Sequence, residues 1–192
     1  MLSIENRHTP DSAVSNGMRI VLATPLYPPE IADAAAYVKE LARRLAKDHK
    51  VTIVTYAHLP EPLPGVTVSA IEKRRPLLSR LFSFRNALAR ALRDADAVLA
   101  INGASVELPL LLVSRRQSVP LIFCTADHAA HERAGLLERL ASSRADRIVS
   151  DFPPHRPEIL PFAPRPVDEL ASYEQSWDTH LAELSRLFHH AD

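Results

Sequence analysis

The chain has 192 residues, 46% of them hydrophobic, and its 23 Lys and Arg balance 23 Asp and Glu. That length suffices for one domain with a substantial core plus appendages, and the even charge gives no bulk attraction for nucleic acid or for an acidic partner, so any electrostatic role must come from local clustering. The lone Cys124 precludes an internal disulfide and fits a reducing cytoplasm; no apolar run nears the ~20 residues of a membrane span, and the N-terminus lacks a basic start before an apolar core.

Residues 1–17 are polar and aperiodic, with Pro10 and Gly17, and are expected to form a flexible leader. Arg19 to Ala23 is a short apolar run of the kind buried on both faces in a parallel sheet. Ile31, Ala34, Ala35, Val38, Leu41, Ala42 and Leu45 then recur at helical spacing, with Lys39, Glu40, Arg43, Arg44 and Lys47 on the opposite face, which predicts a helix lying on that sheet. Val51 to Tyr56 is β-branched and returns as a second strand; a proline-rich turn, Leu59 to Gly65, leads to a third, Val66 to Ile71.

Leu77, Leu81, Phe84, Leu88 and Leu92 predict a helix between Pro76 and Asp94, and Ala97 to Ile101 the next buried strand. Asn102 and Gly103 make a turn into a helix from about Ser105 to Gln117, whose first turns tolerate Pro109. A strand at Pro120 to Cys124, a helix at Ala129 to Ser143 and a strand at Arg147 to Ser150 complete the alternation. The expected fold is therefore α/β: a three-layer, Rossmann-like open parallel sheet over residues 18–152. Six prolines between Pro153 and Pro166 make residues 153–166 an extended connector. In residues 167–192, a last helix from Val167 to His189 carries Leu170, Tyr173, Trp177, Leu181, Leu184 and Leu187 along one side and is expected to dock back on the domain.

Ligands of such sheets bind beyond the carboxyl ends of the strands. There the densest polar cluster is Asp127, His128, His131 and Glu132, which reads either as a helix start capped by Asp127 with solvent histidines, or as a ligand contact with acid–base capacity. His-x-x-His-Glu lacks the zinc spacing of His-Glu-x-x-His and has no assignable third ligand, so no metal is expected. Asn102, Gly103 and Ser105 read equally as turn chemistry or as ligand contacts, and Tyr27, Pro28 and Pro29 as a rigid loop or a stacking platform. His189 and His190 read as solvent residues. From Lys73 to Arg93 the sequence is basic, with Lys73, Arg74, Arg75, Arg80, Arg85, Arg90 and Arg93 flanking Leu77, Leu78, Leu81, Phe82 and Phe84. This is either a sheet-packed helix with a solvated basic face or a helix that lies on an anionic membrane surface. Sparse aromatic interleaving argues against nucleic acid.

Taken in order, RIVLATPLYPPE, AYVKELARRLAKDHKVTIVTY, DAVLAINGASVELPLLLVSRRQSVPLIF and RADRIVSDF resemble the N-terminal half of family-4 retaining glycosyltransferases of the two-domain GT-B fold. The Y-P-P loop followed by a helix ending K-E-L-A-x-x-L is the most specific part. YEQSWDTHLAELSRLF is similar to the family's closing helix, which crosses back onto the N-terminal domain. The resemblance implies the acceptor-side half of a hexosyl-transfer enzyme whose donor domain is missing here, a cytoplasmic site at or near the inner membrane face, a glycan or lipid-linked acceptor, and no metal or other cofactor on the polypeptide. A separate donor-binding subunit would then complete the cleft.

By the same resemblance, Pro29, Asp33, Asn102, Gly103, Asp127, His128, His131 and Glu132 are candidate acceptor or ligand contacts, with Asp127 and His128 the catalytic candidates. Three departures stand out. Ala32 and Asp33 occupy the place of paired glycines whose bare backbone approaches phosphate. Ala126-Asp127 replaces a His-Asp pair, with His128 one place late. No two glutamates have the seven-residue separation of the family's donor domain. These departures favour the alternative, an inactive remnant that serves as a binding or regulatory module.

Overall fold

The computed structural model describes residues 17–101, 103–114, 119–124, 136, 140, 143–149 and 167–189. The expected leader up to residue 16, the connector at 153–166 and residues 190–192 lie outside the described residues, as do most of the helix expected at 129–143 and the end of the helix expected to reach Gln117.

Six strands form one parallel sheet: β1 (Arg19–Thr24), β2 (Lys50–Tyr56), β3 (Val66–Ile71), β4 (Ala97–Ile101), β5 (Leu121–Cys124) and β6 (Arg147–Val149), in the order β3-β2-β1-β4-β5-β6. The chain runs outward from β1 to β3, crosses back to place β4 beside β1, and then runs outward the other way. Strand order thus reverses between β1 and β4, the position at which open α/β sheets bind ligands.

Side-chain alternation along the central strands builds two cores at once. Ile20 and Leu22 of β1 join Val51 and Ile53 of β2 in a core closed by α1 (Asp33–Leu45), while Val21 and Ala23 join Val54 and Val98 in a core closed by α2 (Leu77–Ala91) and α3 (Ala104–Ser114). Because both faces are covered, β1, β4 and β5 are almost wholly buried, which is why their sequences are continuous apolar runs. A single 3₁₀ turn, Leu92–Asp94, ends α2 and delivers the chain to β4.

At the amino edge of the sheet, two aspartates do the same job. Asp96, just before β4, accepts the Arg19 N–H at 2.7 Å and donates its own N–H to the Arg19 carbonyl at 2.8 Å. Asp146, just before β6, does both to Leu121 at 2.6 and 2.8 Å. Each ties off the first residue of the neighbouring strand, and the Arg19 guanidinium, 2.9 Å away, holds Asp96 below the usual carboxylate range. This edge is a structural one.

The last helix, α4 (Val167–His189), shares the α1 core with Ile122, Cys124 and Val149 through Trp177, Leu184 and Phe188. Tyr37 of α1 hydrogen-bonds His180 Nε2 at 2.8 Å and stacks on Trp177 at 5.7 Å between ring centroids. Burial makes Cys124, beside the Tyr37 hydroxyl, an inert thiol pushed up to about 12.

Two readings of α1 need correction. Ile31 precedes the helix and is 96% exposed, so it contributes nothing to the core. Arg44, assigned to the solvent face by periodicity, is only 6% exposed. Its Nε donates to Glu40 at 2.6 Å, its Nη2 donates to Glu174 of α4 at 2.8 Å, and its guanidinium lies 5.1 Å from the centre of the Trp177 ring. The physical reason is the arrival of α4, which converts a solvated helix flank into an interface.

Candidate functional site

At the carboxyl edge, the loops that follow β1 and β4 meet. Thr24 ends β1 fully buried, its hydroxyl donating to the Leu26 carbonyl at 2.8 Å and so turning the chain sharply out of the strand. Across from it, Gly103 has φ +149°, and a β-carbon there would lie 3.0 Å from Pro25 Cγ. Glycine is required on both counts, by the backbone conformation and by the close approach of the β1 loop.

The loop from Pro25 to Glu30 is pinned at several points. Tyr27 is fully buried in the α1 core, which makes it an anchor and not a stacking platform. The Pro28–Pro29 peptide is cis, the Pro28 carbonyl accepts the Glu61 N–H at 3.1 Å, and Glu30 pairs with Lys73. Ala32 follows as the extended residue before α1, so Asp33 occupies the first helical position. Pro29 and Asp33 therefore both sit on the segment that leads from β1 into α1.

The head of α3 is closed by a residue that the sequence reading passed over. Glu107 is only 3% exposed, and its Oε1 accepts the Gly103 N–H at 2.8 Å while the Gly103 carbonyl accepts the N–H groups of Val106 and Glu107. A carboxylate is thereby held at the positive end of the helix dipole. The available signal was G-x-x-x-E at a helix start. Pro109 falls one turn further in and cannot donate to the Ser105 carbonyl; the Tyr56 hydroxyl donates to that carbonyl instead, at 2.7 Å. Burial raises the Tyr56 phenol far above its ordinary value, so it remains a donor.

Of the proposed contacts, Gly103 stands at the β1–β4 crevice, and Pro29 and Asp33 on the adjoining β1–α1 segment. Asn102, Asp127, His128, His131 and Glu132 lie outside the described residues. Among the basic residues, Arg74 and Arg75 are exposed and Arg85 is half-buried, but Lys73 is paired with Glu30 and Arg80 turns inward. Arg80 donates to the Lys73 carbonyl at 3.2 Å and lies 5.5 Å from the centre of the Tyr56 ring. Nearby, His58 Nδ1 lies 2.6 Å from Glu72, which it holds below the usual carboxylate range. Among the described residues no group of three or more His, Cys, Asp or Glu is placed to hold a metal ion, and no helix is long and apolar enough to cross a membrane.

A family model described as a glycosyl transferase 4-like domain matches residues 34–168. No curated protein gives a significant match. Among solved structures, the C-terminal domain of a hydrogenase from Pyrococcus furiosus aligns over 57% of this chain and 93% of its own length, at 18% identity and a TM-score of 0.38, a likeness too slight to argue from. The family match, in contrast, runs from the start of α1 through β2 to β6 and on to the first residues of α4, and it covers well over half the chain. With a parallel sheet whose strand order reverses at a glycine-lined crevice, the chain belongs to the glycosyl transferase 4-like family.

Proposed function

We propose that this chain forms the acceptor-side wall of a GT-B sugar transferase and that a separate donor-binding subunit presents the activated sugar. The observation that carries this reading is the Glu107 carboxylate at the head of α3. A helix N-terminus at a switch point ordinarily attracts phosphate, yet this one already holds a carboxylate 2.8 Å from the Gly103 N–H. Asp33, in place of a glycine at the start of α1, adds a second acid where backbone N–H groups would otherwise approach an anion. An edge of this kind disfavours a nucleotide diphosphate and suits a neutral, hydroxyl-rich acceptor, which carries no charge for the acids to repel. On this reading Pro29, Asp33, Asn102, Gly103, Asp127, His128, His131 and Glu132 line the acceptor side, with Asp127 and His128 nearest the chemistry.

The same carboxylate favours a second reading, in which the domain is an inactive glycosyltransferase-like module that binds or regulates. Affinity capture from the native host, followed by assay with nucleotide-diphosphate sugars, separates the two. Under the first reading the isolated chain neither binds nor turns over a sugar nucleotide, and transfer appears once the captured donor-binding subunit is added back. A silent complex supports the module. Tight binding and turnover by the isolated chain would sink both.

A further inference from the structure

We propose that the outer face of α2 is a docking surface for an anionic lipid bilayer. The first turns of α2 present apolar side chains to solvent: Leu77 is 58%, Leu78 70% and Phe82 58% exposed, and the helix reaches the core only at Phe84, Ala87 and Leu88. Leu78 and Phe82, four residues apart, stand one above the other on a single face. Singly exposed apolar residues need no explanation, but a cluster rimmed by charge marks an interaction surface.

The rim is cationic. No acidic residue occurs between Lys73 and Arg93. Lys73 and Arg80 are engaged elsewhere, but Arg74, Arg75, Arg85 and Arg90 form no ion pair with any described residue. Arg75 and Arg90, with Ser69, Ser83 and Asn86, line an open polar cleft of about 350 Å³ between β3 and α2. Glu72 also lines it, but that carboxylate is engaged by His58 and by the Arg74 N–H. A soluble anion accounts for the cleft and leaves the apolar ridge unexplained, whereas a bilayer uses both: Leu77, Leu78 and Phe82 enter the acyl boundary while the arginines reach headgroup phosphates.

Flotation of the full chain with vesicles of phosphatidylcholine, alone or mixed with phosphatidylglycerol, tests the proposal independently of any sugar transfer. Binding is expected only to the mixed vesicles and is expected to weaken with salt. The pair Arg75→Glu and Arg90→Glu should lower it at least about tenfold, and so should Leu78→Ser with Phe82→Ser. All four side chains face solvent, so thermal melting should be unchanged, which separates lost docking from lost folding. Failure to float on anionic vesicles, equal binding to neutral ones, or binding indifferent to the two serine substitutions would overturn it. So would inorganic phosphate binding that needs Arg75 and Arg90 but ignores Leu78 and Phe82, because the site would then serve a soluble anion.

Discussion

Each side of the sheet buries one charged side chain among the described residues, Arg44 on the α1 side and Glu107 on the α3 side, and the two are used differently. Arg44 bridges Glu40 on its own helix and Glu174 on α4 while lying against Trp177, so its charge joins two helices far apart in sequence. Glu107 accepts the N–H of Gly103, four residues back, and this holds the carboxylate at the β1–β4 crevice. A buried charge that unites distant elements serves the fold; under the proposed function, one kept at the crevice shapes what that edge accepts.

The largest expected effect falls on the α4 seam. Trp177 is 3% exposed, and Trp177→Ala should cost about 3–5 kcal/mol. Phe84→Ala, in the α2 core, should cost a similar amount. The two should differ in kind. Amide hydrogen exchange is expected to rise selectively in residues 167–189 for Trp177→Ala, with β1, β2 and α2 still protected, whereas Phe84→Ala should loosen the whole sheet. Equal acceleration everywhere in the Trp177 variant would show that α4 is not a separable seam.

Tyr37→Phe is milder. It removes the hydroxyl bonded to His180 and keeps the ring on Trp177, so a loss of about 1 kcal/mol in a denaturant titration is expected.

A pH dependence follows from the same pair. Burial lowers His180 from its ordinary 6.5 to about 4, and it faces Tyr37 and the Trp177 ring, with the Arg44 cation close by over that indole. The unfolded chain therefore takes up a proton near pH 6.5 that the folded chain refuses until about pH 4. His180 makes its full contribution above pH 6.5, loses it as the pH falls toward 4, and changes no further below that. His180→Phe should flatten this part of a melting-temperature profile, and an unaltered slope would place the acid sensitivity elsewhere.

Much of the fold was legible because strands buried on both faces must be continuously apolar, and RIVLAT, KVTIVTY, AVLAI and LIFC each announce themselves. The period of α1 was equally plain. What it could not reveal was the burial of Arg44, since helical spacing reports one helix and its sheet and not a partner 130 positions away. Arg80 escaped for a related reason: a long side chain can fold back over Tyr56 from a position that looks solvent-facing. The crevice itself was half legible. Gly103 was recognisable as a turn residue, but its contact with Pro25 depends on β4 lying next to β1, and alternation of strands and helices does not fix that order. Glu107 required knowing which residue begins α3.

Glu107→Gln is the smallest substitution and the one that sharpens the contrast most. The amide oxygen can still accept the Gly103 N–H, so the head of α3 stays closed, and the interaction of a full negative charge with the helix dipole, about 0.3–1 kcal/mol, is lost. If the charge serves mainly to repel anions from the crevice, inorganic phosphate or a nucleotide diphosphate should bind the variant more tightly than the wild type in a calorimetric titration, while melting shifts little. The parallel change on the other side, Arg44→Met, should leave anion binding at the crevice untouched and weaken the α4 seam instead. Unchanged anion affinity in Glu107→Gln would mean that both buried charges are structural, and the case for an acceptor-side wall would lose the observation on which it rests.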